Sequence, residues 1–124
     1  MEQLHIREYL DNEHTEAVIE ITYGDISLLA YDYPHTNLTK IHDYFLTCFV
    51  AENIHVEECW QAPIHMNPES FEYYLVGRVI SCSKRLVHIG NIKIYLDSPI
   101  PGDVYEGNYI GFNVVRLDFH RLEV

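Results

Sequence analysis

The chain has 124 residues, nineteen acidic against eight basic, and a formal charge of −11 at pH 7. Nearly half of it, 48%, is apolar, with ten tyrosines and five phenylalanines; this excludes an intrinsically disordered chain and suffices for a core without disulfides or metals. The charge disfavours nucleic acid and anionic lipid as partners and speeds encounter with a basic one.

A single domain over residues 1–124 is expected. The first eight residues, Met1 to Glu8, lack the basic start and apolar run of an export signal, and no apolar stretch approaches the ~18 residues that span a bilayer. A cytoplasmic location is the corresponding expectation. Cys48, Cys59 and Cys82 are widely spaced and form no Cys-x-x-Cys pair, which reads as buried free thiols in a reducing compartment. The acidity is uneven. Residues 1–62 carry twelve acids against Arg7 and Lys40, whereas residues 63–124 carry seven against six bases.

In chain order, Leu4 to Leu10 fits a short helix or an extended arm equally well. Ala17 to Tyr23 alternates strictly, with Ala17, Ile19, Ile21 and Tyr23 on one face, and predicts a half-buried strand. Gly24-Asp25 then makes a tight turn into a second strand, Ile26 to Tyr33, which Pro34 ends. Tyr44 to Val56 predicts a long central strand that bends or breaks at Glu52-Asn53, and Trp60 to Ser70, with Pro63 and Pro68, reads as a loop. Strands follow at Phe71 to Cys82, Leu86 to Ile89, Ile92 to Leu96 beyond a Gly90-Asn91 turn, and Tyr109 to Leu122. The last places Arg116, Asp118 and His120 on one face and Leu117 and Phe119 on the other, a solvated charge row.

The fold class is therefore all-β: a six- to seven-stranded antiparallel barrel or a compact sandwich, with at most one short helix. The run Tyr74 to Ile80, the hairpin around Gly90-Asn91, the turn Pro99 to Gly107 and the closing Asn108 to Phe112 resemble the strand order of small OB-like barrels. That resemblance covers about residues 71 to 120 and tips the choice toward a barrel.

No Gly-x-Ser-x-Gly, Gly-x-x-x-x-Gly-Lys or His-Glu-x-x-His motif is present, so no catalytic residue, cofactor or metal is assigned. His55, Glu57 and Cys59 share a strand face, but neighbours at about 6 to 7 Å suit common coordination of zinc poorly. The acidic residues Asp25, Asp32, Asp43, Glu52, Glu57 and Glu58, leading into Trp60, form the candidate partner-binding set, with Trp60 as an anchor. An alternative set for single-stranded nucleic acid is Arg78, Lys84, Arg85 and Lys93, beside Tyr73, Tyr74 and Tyr95. In general character the chain resembles the small immunity proteins with which bacteria neutralise their own secreted toxins. That resemblance implies a non-enzymatic inhibitor occluding the active site of a basic toxin, a nuclease for instance. The alternatives are an OB-like module that binds single-stranded nucleic acid or a peptide, and a small enzyme without a recognisable motif.

Overall fold

The computed structural model describes residues 2–123, with side chains other than those of residues 40–42 and 123. Its strands are β1 (Gln3–Tyr9), β2 (Ala17–Tyr23), β3 (Ile26–Asp32), β4 (Ile41–Glu57), β5 (Ile64–His65), β6 (Tyr73–Ser81), β7 (Leu86–Ile89), β8 (Ile92–Tyr95) and β9 (Tyr109–Glu123). The all-β class is as expected, and a single 3-10 turn, Leu38–Lys40, is the one helical element among the described residues. Two strands exceed the seven expected. Leu4 to Leu10 holds a strand, β1, and not a helix: Leu4 and Ile6 alternate against Ile21 and Ile19 of β2. The two-residue β5, inside the expected loop, is too short to show a period.

Five strands close a barrel in the order β4-β8-β7-β6-β9 and back to β4. Sandwich architecture is thereby set aside, and so is a wholly antiparallel barrel. An odd ring of staves cannot alternate direction all the way round, so at least one neighbouring pair must run parallel; here it is β4–β8. The second half supplies four staves, β6, β7, β8 and β9, and β4, from the acidic first half, closes the ring.

A second sheet, β1-β2-β3, hangs from the barrel. Its backbone link is one parallel pair, Tyr31 opposite Asp118 of β9. Along its other edge β9 pairs with β4 for nearly its whole length, whereas on this edge it pairs with β6 as far as Val114 and then turns to β3. Both long strands change phase at that point. Buried positions on β9 run Ile110, Phe112, Val114 and resume at Leu117 and Phe119; on β4 they run Tyr44, Leu46, Cys48 and resume at Ala51. Each strand thus takes one three-residue step, and the steps face each other between the pairs Phe49–Arg116 and Ala51–Val114.

Val50 occupies this step on β4 with φ 60°, a left-handed conformation that a β-branched residue adopts only under constraint. The constraint is Asp97, whose carboxylate accepts the amide protons of Val50 and Ala51 at 2.8 and 2.9 Å. The bend expected at Glu52-Asn53 is a register shift between Glu52 and His55, with Asn53 at φ 56°. Asparagine tolerates that region well.

The core is one apolar cluster. Leu46, Leu75, Ile94, Ile110, Phe112 and Leu117 of the barrel join Ile19, Ile21 and Leu28 of the second sheet, all fully buried. The tip of the β2–β3 hairpin rests on the tip of β7–β8, where a Cβ on Gly90 would come within 2.8 Å of the Tyr23 ring. Of the cysteines expected to be buried only Cys48 is; Cys82 is partly exposed and Cys59 exposed, because it follows the end of β4.

Candidate functional site

The acidic candidates do not converge. Asp25 is exposed in the β2–β3 turn, Glu52 is exposed just past the phase step, and Glu58 and Trp60 are exposed beyond the end of β4. Trp60, 43% exposed, does not cap the core. Asp32 is withdrawn from any partner surface: it is 1% exposed, and its carboxylate takes Arg121 Nη2 and His35 Nδ1, each at 2.5 Å. Asp43 accepts from Lys93 Nζ at 2.6 Å, so members of the acidic and basic sets engage each other. Glu57 accepts from Gln61 at 2.7 Å and lies 3.0 Å from His55 Nε2.

His55 donates Nδ1–H to the Asn53 carbonyl at 2.6 Å, which leaves Nε2 facing both Glu57 and the Tyr74 hydroxyl at 3.0 Å. Tyr74 reaches there across Gly111, where a Cβ would lie 2.0 Å from its hydroxyl oxygen. Burial, followed by the neighbouring Glu57, raises the Tyr74 pKa. This cluster is hydrogen-bonded within itself, and among the described residues no group of three or more His, Cys, Asp or Glu side chains could hold a metal ion. Burial also pushes the Cys48 thiol far above its ordinary value, which disfavours it as a nucleophile.

The basic candidates come closer together. Arg78 on β6 is opposite His88 of β7, which is opposite Lys93 of β8. Lys84 and Arg85 occupy the turn joining β6 to β7, where Arg85 Nη1 donates to the Asp97 carbonyl at 3.3 Å. Of the three tyrosines read beside them, Tyr73 is buried, with its hydroxyl accepting the Leu29 amide at 3.0 Å, Tyr74 belongs to the His55 cluster, and Tyr95 stands edge-on to Phe45.

A further surface forms around the phase step. There Phe49 is 48% and Val115 43% exposed, with Met66 at 53%. The Arg116 guanidinium lies between the Tyr31 and Phe49 rings, 4.6 and 4.7 Å from their centroids, and binds Asp118 at 2.6 and 3.3 Å. The Tyr31 hydroxyl donates to Glu16, and that bond is the main reason its pKa is pushed up to about 12. Two adjoining depressions of about 100 and 270 Å³ share Val115 and Glu72 as a wall. Phe49 and Val115 were absent from the sequence-based candidates. The available signal was the pair of adjacent apolar residues, Phe49-Val50 and Val114-Val115, at which the alternation breaks.

Comparison with known protein families, characterised proteins and solved structures returns no match. The structure itself defines an all-β domain, a five-stranded barrel with an appended sheet, and leaves function to be argued from its surface. No helix among the described residues is long and apolar enough to cross a membrane.

Proposed function

We propose that the chain is a non-catalytic, acidic protein-binding domain whose partner is basic, acting in the cytoplasm in the manner of a bacterial immunity protein that covers a toxin's active site. The observation supporting this reading most directly is the apolar surface at the phase step. Phe49, Val115 and Met66 are exposed there around an aromatic-clamped arginine, with Glu52 and Glu72 at its edge. Exposed aromatic and aliphatic anchors rimmed by charge are typical of binding surfaces. The net charge of −11 accelerates capture, and the anchors slow release. The acidic set narrows accordingly to Glu52, with Glu57, Glu58 and Trp60 as an outlying corner.

The immobilised domain, exposed to extract of the organism that makes it and eluted with a salt ramp, is expected to retain a basic protein. The Phe49→Ala/Val115→Asn double variant is expected to lose that protein while keeping its circular dichroism spectrum. Recovery of nucleic acid as the main ligand, or equal retention by the folded variant, overturns the reading.

A further inference from the structure

A notch opens where two strands of the barrel part. β6 and β9 are paired from Arg78–Tyr109 as far as Tyr73–Val114; beyond that level β9 turns to β3, and the chain ahead of β6 is the loop at 66–72. Met66 N–H donates to the Glu72 carbonyl at 2.9 Å, which closes the neck of that loop, and both residues face Val115 across the opening. The step on β4 supplies the other side. Val50, held in the left-handed region by Asp97, lines the notch, and so do Glu52 and its partner Asn113. This is the smaller of the two depressions at the phase step, about 100 Å³.

Size and lining together decide what it can take. The volume falls below the roughly 300 Å³ at which small-ligand pockets begin, and it suits one long side chain. Val50, Met66 and Val115 make its walls apolar, whereas the Glu52 and Glu72 carboxylates are exposed and have no hydrogen-bond or salt-bridge partner among the described residues. Arg116, next to Val115, brings no compensating charge, because Asp118 already holds it. An apolar slot that ends in idle carboxylates is complementary to a methylene stem that ends in a cation, and lysine and arginine have that form. Beyond Val115 and Glu72 comes the larger depression of about 270 Å³, lined by Phe49 and Phe71. Two pockets divided by a single side chain suit residues i and i+2 of an extended segment, which point the same way.

We propose that the notch seats one lysine or arginine of the partner, carried on an extended segment whose apolar residue two positions away enters the depression at Phe49 and Phe71. This rests on the reading of the phase-step surface as protein-binding and adds the chemistry of the residue received there. The overall charge draws in any basic protein. The notch selects those that present a cation beside an apolar side chain.

The test titrates the isotopically labelled full chain with the capped tripeptides Phe-Ala-Lys, Phe-Ala-norleucine and Phe-Ala-Glu, read from amide chemical shifts. Saturable shifts at Asn113 and Val115 are expected with the lysine peptide. Norleucine, which keeps the stem and drops the charge, should bind about fivefold more weakly, and the glutamate peptide more weakly still. Glu52→Gln/Glu72→Gln should abolish the preference for lysine over norleucine, whereas Glu13→Gln/Asp103→Asn, which removes equal charge from exposed positions outside the notch, should keep it. Absence of saturable shifts, equal binding of the lysine and norleucine peptides, or loss of the preference in both double variants overturns the proposal. The extract experiment separates it from the reading beneath it. A basic protein retained as well by Glu52→Gln/Glu72→Gln as by the parent, but lost from Phe49→Ala/Val115→Asn, upholds the surface and overturns the notch. Lysine-selective binding by a chain that retains no basic protein upholds the notch and overturns the surface reading.

Discussion

The barrel and the sheet beside it share one apolar cluster, yet they are held by different means. Every stave of the barrel is laced to two neighbours by backbone pairing. The sheet joins the barrel through one backbone pair, Tyr31–Asp118, and otherwise through side chains: the buried Asp32–Arg121 pair, Arg116 beneath Tyr31, the Tyr73 hydroxyl on the Leu29 amide, and Tyr23 on Gly90. Ladder bonds spread over a barrel are hard to lose singly. A docked sheet depends on a few contacts, and one of those is ionic.

Removing that ion pair offers the largest way to break the comparison. Arg121→Met leaves a carboxylate that is 1% exposed with His35 in place of its guanidinium as the remaining partner and is expected to cost about 3 kcal/mol in denaturant unfolding. Amide exchange should accelerate first in β1–β3 and last in β6–β8; uniform acceleration would mean that sheet and barrel open as one unit. Pairing the change with Asp32→Leu should recover most of the loss, because burying two charges rarely beats burying two apolar groups, and because Arg121 Nε is already buried without a partner among the described residues.

An intermediate effect belongs to the barrel seam. Asp97→Ala removes the acceptor of two amides at the phase step and is expected to cost about 2 kcal/mol, read as a lowered unfolding midpoint. Here exchange should quicken along β4 and leave β1–β3 as they were, the converse of the Arg121 result.

The smallest effect is one of pH. The folded-state pKa of His88 is lowered, by burial first and by Lys93 second, so between that value and the unfolded value near 6.5 the unfolded chain binds more protons than the folded one. Its contribution is complete above pH 6.5 and is lost as pH falls through that window. His88→Gln should flatten this part of the stability profile; an unchanged slope would assign it to other histidines.

Much of this organisation was legible in the alternation of side chains. The seven strands expected from the sequence show a period of two, and the same parity that buries Leu28 and Ala30 carries Asp32 inward, just as the parity of Leu117 and Phe119 carries Arg121. Two opposite charges on core-facing parities already spell a buried pair, although Asp32 was read by charge alone as a surface acid. Ring closure was not legible, because β4 and β8 are far apart in sequence and pair in parallel, with no hairpin turn to announce them. The apolar surface at the phase step was missed because a break in alternation reads as the end of a strand unless its partner strand breaks at the same level.

That coincidence has a consequence for how the chain tolerates change. The steps on β4 and β9 behave like a compensated frameshift, each restoring the in-out sense that the other has altered. A residue gained or lost at this level in one strand alone, with no bulge such as the one between Glu52 and His55 to absorb it, would turn half of that strand inside out against a partner that had not moved, whereas matched changes in both would keep the two in step. Insertions at the step itself are therefore expected to survive in pairs.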